Sequence, residues 1–243
     1  MFTGIVHGAA RIDTVSDHDA IRTFVIDFPE GFCDGLAVGA SVSVDGVCLT
    51  ATEILSHTRV SFDVIYQTLK VTTLSGHLQG QPVNVERAAR DGAEIGGHPI
   101  SGHVDFSTPI ETVDIFEGNK VLRIAIPDEF APYIFAKGYI AINGVSLTLA
   151  EVNKAEGWLE IWLIPETRRV TTFDAKRKGD RVNIEIERNT QVVVDTIRLS
   201  VKESLGKLQP LIERLLLAQG IKIEDMIDVP PLQISSSTAK HTE

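Results

Sequence analysis

A thiol at Cys48, a hydroxyl at Ser146 and an imidazole at His103 are the groups in this sequence best suited to chemistry on carbon. Histidine titrates near neutral pH and is matched to moving protons. A cysteine attacks carbon well only when its pKa is lowered. Together the three could run proton abstraction and nucleophilic addition. Each also has a plain reading. A lone cysteine in an apolar run such as GVCLT is commonly a small buried hydrophobe. Ser146 follows a turn and can cap backbone. His103 lies in a loop, Glu166 follows Pro165 as a solvated turn residue would, and Thr50 and Thr148 are strand formers.

Their placement in a repeat lifts them above those readings. DGVCLTATEI (45–54) recurs as NGVSLTLAEV (143–152), 98 positions later. At the same offset FTGIV (2–6) matches ISGHV (100–104), and at offset 99 QTLKVTT (67–73) matches ETRRVTT (166–172) and VNVE (83–86) matches VNIE (182–185). Chance similarity does not hold several blocks in register. The period is domain-sized, well above the roughly 20–50 residues of solenoid repeats. Two copies of one domain are therefore expected, at 1–97 and 98–188. Cys48 then faces Ser146, Ile5 faces His103, and Gln67 faces Glu166, while Thr50 and Thr148 are the same, as are Thr68 and Thr167. Shared hydroxyls suggest a shared ligand scaffold, and the differences mark where two roles diverge.

The elements that must position these groups read as all-β. TFVIDF, SVSVDGV, RVSFDVI, VLRIAI, YIAINGV, LEIWLI and VNIEIE are short and rich in β-branched and aromatic residues, with partial alternation. Asp45-Gly46 and Asn143-Gly144 signal hairpins, because both positions tolerate positive φ. Many short strands in about 90 residues suggest a small closed barrel, which removes exposed edges. Short helical turns are expected at FPEGFCDGL and IPDEFAPYI. From Thr190 onward, Val193, Val194, Ile197, Val201 and Leu205 fall at helical spacing. A second helical stretch, PLIERLLLAQG, is expected after Gly206, with Pro210 near its first turn and Gly220 at its end. The tail is assigned as helical over 189–228 and as disordered over 229–243. Its apolar stripe must pack on its own barrel or on another copy's helix.

Composition bounds the rest. The 243 residues carry 23 Lys plus Arg against 33 Asp plus Glu, a net charge of −10 with no basic stripe, so nucleic acid is not an expected partner. No apolar run approaches the ~18–20 residues that span a bilayer, so no membrane is expected. MFTGIVHGAARID lacks the layout of a signal peptide. Two cysteines, Cys33 and Cys48, cannot build a disulfide framework, which fits a cytoplasmic protein with reduced thiols. His98 and His103 in GGHPISGH are the one hint of a metal site, but no carboxylate or thiol clusters with them, and no metal is expected.

MFTGIV, the pair DGVCLT and NGVSLT, EIGGHPISGH and IPETRRVTT together resemble the riboflavin synthases of the trimeric, two-barrel type, from Met1 to about Val201. The resemblance implies two tandem homologous six-stranded Greek-key β-barrels with a C-terminal α-helical tail that holds a homotrimer. It implies that two molecules of 6,7-dimethyl-8-ribityllumazine react, one giving a four-carbon unit to the other, without cofactor or metal. One substrate binds each barrel, where the N-terminal barrel of one subunit meets the C-terminal barrel of a neighbour. Carried over position by position, the first site takes Gly4, Ile5, Val6, Cys48, Leu49 and Thr50, with Asp63, Val64, Ile65, Tyr66, Gln67 and Thr68. The second takes Gly102, His103, Val104, Lys137, Ser146, Leu147 and Thr148, with Leu163, Ile164, Pro165, Glu166, Thr167 and Arg168. His103, Cys48, Ser146 and Thr148 are the expected participants in chemistry, His103 as base for the acidic 7-methyl group and Cys48 or Ser146 assisting addition at C7.

Two features depart from that pattern: Gln67 stands where many relatives have Glu, and the tail runs past the usual end. Three rival readings stay open at this level. A non-catalytic lumazine- or flavin-binding antenna protein is disfavoured by the retention of Cys48, His103, Ser146 and Thr148. A flavin-reductase-type barrel should bring a Gly-rich dinucleotide turn. A trimeric scaffold would leave its barrels empty.

Overall fold

The computed structural model describes residues 1–218. Met1–Val194 forms one compact unit, and a second unit begins at Asp195. The expected end of the tail at 228 and the expected disorder of 229–243 lie outside the described residues.

The first copy contributes β1 (Gly8–His18), β2 (Ile21–Asp27), β3 (Ser41–Val44), β4 (Val47–Ile54), β5 (Arg59–Ile65) and β6 (Pro82–Arg87). They close into a barrel in the order β1-β2-β5-β4-β3-β6, every neighbouring pair antiparallel. The run β3-β4-β5 is joined by hairpins, and β2 returns beside β5, which is a Greek key. The second copy repeats this with β7 (Phe106–Phe116), β8 (Asn119–Ala125), β9 (Tyr139–Ile142), β10 (Val145–Asn153), β11 (Trp158–Leu163) and β12 (Arg181–Ile186). Their order is β10-β11-β8-β7-β12-β9, again closed. Bulges fall at matching places, Ile12/Thr14 with Ile110/Thr112 and Ala51/Glu53 with Leu149/Glu151, and they supply the bend that closure needs. Along β4, Val47, Leu49 and Ala51 are buried while Cys48 is half-buried and Thr50 exposed, the two-residue period of a strand with one face in a core. Each barrel holds its own apolar cluster, around Phe24, Phe62 and Val85 in the first and around Leu122, Ile161 and Phe173 in the second.

The barrels meet at their repeated turns. Asp45 and Gly46 have φ of 46° and 82°, and Asn143 and Gly144 have 45° and 77°, the signature of the tight hairpin turn that matches strand twist. The two turns touch: a Cβ on Gly46 would lie 2.7 Å from the Gly144 nitrogen. Around them the copies exchange side-chain hydrogen bonds. Asn84 Nδ2 donates to the Asn143 carbonyl and its Oδ1 accepts from Thr172 N–H. Asn183 does the same with the Asp45 carbonyl and Thr73 N–H. Buried amides satisfied across the junction fix its register, because leaving one unpaired costs about 1–3 kcal/mol.

The local helices differ in part from expectation. IPDEFAPYI holds a 3-10 turn at Ala131–Tyr133, but FPEGFCDGL forms turns only. Instead α1 (Tyr66–Val71) and α2 (Pro165–Val170) follow β5 and β11, each continued by a 3-10 turn, at Thr73–Gly76 and Thr172–Ala175. A distant cation caps each of these turns. Arg22 Nη1 donates to the Leu74 and Ser75 carbonyls. Lys120 Nζ, buried enough that desolvation pulls its pKa down, donates to Phe173, Asp174 and Lys176 carbonyls at 2.9, 2.9 and 2.7 Å. Such capping is tertiary and leaves no local sequence signal. The final element, α3, runs unbroken over Arg188–Ala218, so the expected break between two helical stretches is absent. Pro210 lacks the N–H that would reach the carbonyl four residues back, that of Gly206.

Candidate active site

The leading segments of the two copies cross before they reach a barrel. Phe2 and Ile100 form an antiparallel bridge, N–H to carbonyl at 2.7 and 2.9 Å in the two directions. Past the crossing, the Gly4 carbonyl accepts from Ser146 N–H at 2.9 Å, and the Gly102 carbonyl accepts from Cys48 N–H at 2.8 Å. Val6 packs on the core of the second barrel and Val104 on that of the first. The grouping read from sequence is thus reversed within this chain: Gly4, Ile5 and Val6 stand by Ser146, and Gly102, His103 and Val104 stand by Cys48. The bridge at Phe2 causes the reversal, by sending each segment over the other copy's barrel.

Two buried carboxylates hold the crossed segments, and neither was picked out from sequence. Glu86 accepts from Thr3 N–H at 2.6 Å, Thr3 Oγ1 at 2.7 Å and Gly4 N–H at 3.0 Å. Glu185 repeats this with Ser101 N–H, Ser101 Oγ and Gly102 N–H at 2.7, 2.7 and 2.9 Å. Burial pushes the Glu86 pKa up, against the lowering effect of those donors. The available signal was the Glu that ends both VNVE and VNIE.

On β4 and β10, Cys48 and Ser146 are half-buried and Thr50 and Thr148 are exposed, all on the outward face. Leu49 and Leu147 point into the cores, so only their backbone can meet a ligand. His103 is exposed; its N–H donates to Ser101 Oγ at 3.1 Å and its carbonyl accepts from Arg188 at 2.8 Å, leaving the ring without a hydrogen bond among the described residues. Ser146 has a partner that sequence reasoning set aside: His98 Nδ1 lies 2.6 Å from its Oγ.

The other predicted wall lies at the ends of β5 and β11. Ala51 pairs with Phe62 and Leu149 with Ile161, so Ile65 and Ile164 stand three residues beyond the same rungs that Cys48 and Ser146 precede by three. Val64 and Leu163 are core residues. Ile65, Tyr66 and Ile164 are 57%, 65% and 56% exposed, a large apolar surface to leave in water. Asp63 accepts from Thr23 Oγ1 at 2.6 Å. Gln67 is exposed and Thr68 half-buried. In the second copy Pro165 opens α2 and Thr167 takes the Thr171 hydroxyl on its carbonyl. Glu166 is held by both Nε and Nη2 of Arg169, which lowers its pKa, and Arg168 reaches Asp174. A separate cleft of about 590 Å³ includes Ile5 with Thr3, His7, Phe32, Glu86 and Arg87 in its lining.

Lys137 sits in the left-handed region, φ 67°, where the first copy has Gly39 at φ 87°. Both N–H groups make the same bond, to Leu149 and Ala51 carbonyls at 2.9 and 2.8 Å. A side chain there costs about 1–2 kcal/mol, which glycine's unfolded-state entropy partly offsets. Lys137→Gly is therefore expected to change stability by less than about 1 kcal/mol. If the ammonium serves a ligand, affinity falls at the same time. Chemical denaturation and ligand titration separate the two effects.

Among the described residues no cluster of three or more His, Cys, Asp or Glu could hold a metal, and no helix is long and apolar enough to cross a membrane. The arrangement offers two pseudo-equivalent surfaces. Each has a hydroxyl two residues beyond a thiol or a second hydroxyl, and each is flanked by a fixed glycine segment and an apolar ledge.

Comparison with known proteins finds the same duplication. The lumazine binding domain family matches twice, over residues 3–88 and 101–187. The riboflavin synthase of Escherichia coli (strain K12) is 43% identical over 198 residues, 81% of this chain and 92% of that one. The riboflavin synthase of Chlamydia pneumoniae is 39% identical over 211 residues, 85% of this chain and 100% of that one. LumP complexed with riboflavin superposes with a TM-score of 0.71 at 28% identity, over 77% of this chain and 100% of that one. LumP complexed with 6,7-dimethyl-8-(1'-D-ribityl) lumazine gives 0.69 at 27%, over 77% and 99%.

Proposed function

The chain belongs to the lumazine-binding family, among relatives that are riboflavin synthases, and from that premise we propose how its two sites divide the work. It is a transferase that moves a four-carbon unit between two molecules of 6,7-dimethyl-8-ribityllumazine, giving riboflavin and 5-amino-6-ribitylamino-uracil. The observation that carries this is the pair of matched strands in one chain, Cys48-Leu49-Thr50 and Ser146-Leu147-Thr148, inside a sequence that follows synthases over most of its length. Two like substrates call for two like pockets. Holding both flat rings in one closed site makes their encounter effectively unimolecular, which can supply up to about 7–11 kcal/mol of the barrier. The antenna-type reading is not favoured, since curated relatives at 34–43% identity are riboflavin synthases.

The active unit in this reading is a homotrimer held through α3, in the cytoplasm, with one lumazine on each barrel and the pair enclosed between neighbouring subunits. The exposure of Ile65, Tyr66 and Ile164 supports it, because a ledge of that kind is suited to being covered by another chain. Thr50 and Thr148 hold ring or ribityl groups, and His103 takes the proton from the 7-methyl group while Cys48 or Ser146 assists addition to the second ring. The barrels correspond to domains at 1–97 and 98–188.

Incubation with 6,7-dimethyl-8-ribityllumazine alone tests the reaction. Riboflavin should appear by absorbance and fluorescence, and tight binding without turnover would sink the enzyme reading. His103→Ala is expected to lower kcat by about a hundredfold with the circular dichroism unchanged, the scale of losing one acid–base group. A full rate in that variant would remove His103 from the chemistry.

A further inference from the structure

His98 has no task in the reaction as described, yet it is among the most constrained side chains of the site. It is 4% exposed, its N–H donates to the Thr3 carbonyl at 3.1 Å, and its ring stacks on Tyr139 with centroids 5.5 Å apart and planes 20° apart. Nδ1 is 2.6 Å from Ser146 Oγ. The residue before it, Gly97, makes that approach possible: a Cβ there would lie 2.6 Å from Ser146 Cβ and 2.9 Å from Oγ. Ser146 is fixed from its other side by its own N–H, which donates to Gly4 at 2.9 Å. An imidazole so aimed and clamped on a hydroxyl is a built pair. Burial lowers the His98 pKa, with the charge of Glu187 opposing, so the ring is neutral at neutral pH and one nitrogen is an acceptor. Cys48, at the matching place in the first copy, has no imidazole on its sulfur among the described residues.

We propose that His98 is a positioning residue that accepts the Ser146 hydroxyl proton on Nδ1, so that Ser146 Oγ meets its ligand with lone pairs only. The ring proton is then on Nε2. A hydroxyl in that state selects a donor: an N–H, an O–H, or a water held for attack. Cys48 has no imidazole among the described residues to direct its hydrogen, and a thiol is at best a weak donor. The exchange of sulfur for oxygen between the copies is therefore also an exchange of hydrogen-bond direction, which gives the second pocket a polarity that the first lacks. The inference rests on the proposed reaction for its kinetic readout.

The test compares wild type, S146A, H98L, H98N and the double variant H98L/S146A. H98L and S146A should each lower kcat/KM by roughly tenfold to a hundredfold, the effect of losing one buried polar partner. The double variant should lose no more than S146A alone, since both remove one unit. H98N keeps an acceptor near the Nδ1 position and should retain severalfold more activity than H98L. The pH profile supplies a readout that packing alone would not move. Glu187 and the Tyr139 ring are the groups that face His98, and both stay in H98N, as does His103. Wild-type kcat/KM should fall on the acid side both as the general base is protonated and as His98 takes a proton and can no longer accept one; H98N keeps only the first of these, so its acid limb should be shallower than that of wild type. Additive losses in the double variant, or an identical acid limb in H98N, overturn the proposal. If H98L does not fold, the H98N profile decides. Failure of the reaction itself is distinguishable: wild type would then make no riboflavin, and titration of lumazine fluorescence across the same variants tests the pair through binding.

Discussion

Gly102→Ala is expected to cost about 2–5 kcal/mol of stability and to slow turnover by at least about a hundredfold. The residue has φ 82°, where a side chain costs about 1–2 kcal/mol. Space is worse than conformation. Its Cβ would lie 2.6 Å from Cys48 Cβ, 2.9 Å from the Cys48 nitrogen and 2.9 Å from Phe2 Cε2. One of these neighbours is backbone and another is a fully buried ring, so none can swing away. Relief requires the 100–104 segment to lift off β4, which breaks the bond from Cys48 N–H to Gly102 and drags His103 with it. Gly35→Ala is the control, because φ there is 65° and nothing lies within 4 Å of the added atom. It pays for conformation only. The difference between the two variants in denaturation midpoint and in kcat/KM isolates the close approach. If Gly102→Ala stays within twofold of wild-type turnover, the contact between Gly102 and Cys48 is not part of the working site.

The same contact shows what sequence could and could not reveal. The barrels were legible because their information is local and stated twice: alternation along β4 and β10, Asp-Gly and Asn-Gly at the turns, and blocks in register. Which barrel each leading segment serves was not legible. FTGIV and ISGHV make the same bonds whichever barrel they land on, Glu to the backbone N–H groups and a glycine carbonyl to the strand, so alignment of the copies is blind to the crossing. Comparison between copies also flags only positions inside aligned blocks. His98 lies between blocks and reads from sequence only as a metal ligand, although its partner is Ser146, itself a candidate for the chemistry. Glu86 and Glu185 were visible as repeated letters, but their burial beside Asn84 and Asn183 depends on the junction, which is a tertiary fact.

The polarity proposed for Ser146 also bears on why the duplicate sites diverged so little. Thr50 and Thr148 are matched in identity and exposure, and Leu49 and Leu147 in burial. A pair of sites that must bind the same molecule cannot change those features freely. Among the positions that do change are the single atom at 48 and 146 with the group behind it, and Ile5 against His103. Chemistry that uses one molecule as donor and the other as acceptor needs that much asymmetry.

Ending the chain at Val194 is expected to leave folded barrels that are monomeric and at least about a hundredfold less active, the scale of losing the catalytic partner groups of a neighbouring subunit. This cut respects the boundary of the first compact unit and retains Arg188 and Gln191, whose side chains bond Asp105 at 3.1 Å each. The barrels therefore lose no contact within that unit. What is removed is the rest of a 31-residue helix on which Ile197, Val201, Leu205, Leu208, Ile212 and Leu215 are all exposed, spaced by three and four along one stripe. A helix amphipathic to that degree is stable when its stripe is covered. Burying such side chains contributes about 1 kcal/mol or more apiece, which places helix association within reach of the 4–15 kcal/mol cost of bringing subunits together. In the proposed trimer, each site needs a second subunit, so dissociation and loss of turnover should coincide. Light scattering should report three times the chain mass for the full protein and the chain mass for the shortened one. Replacing Val201 and Leu208 with glutamate in the full chain should reproduce both effects without shortening the chain. A shortened chain that is monomeric and fully active would show that one subunit holds the whole site, and a shortened chain that remains trimeric would move the assembly contact from α3 to the barrels.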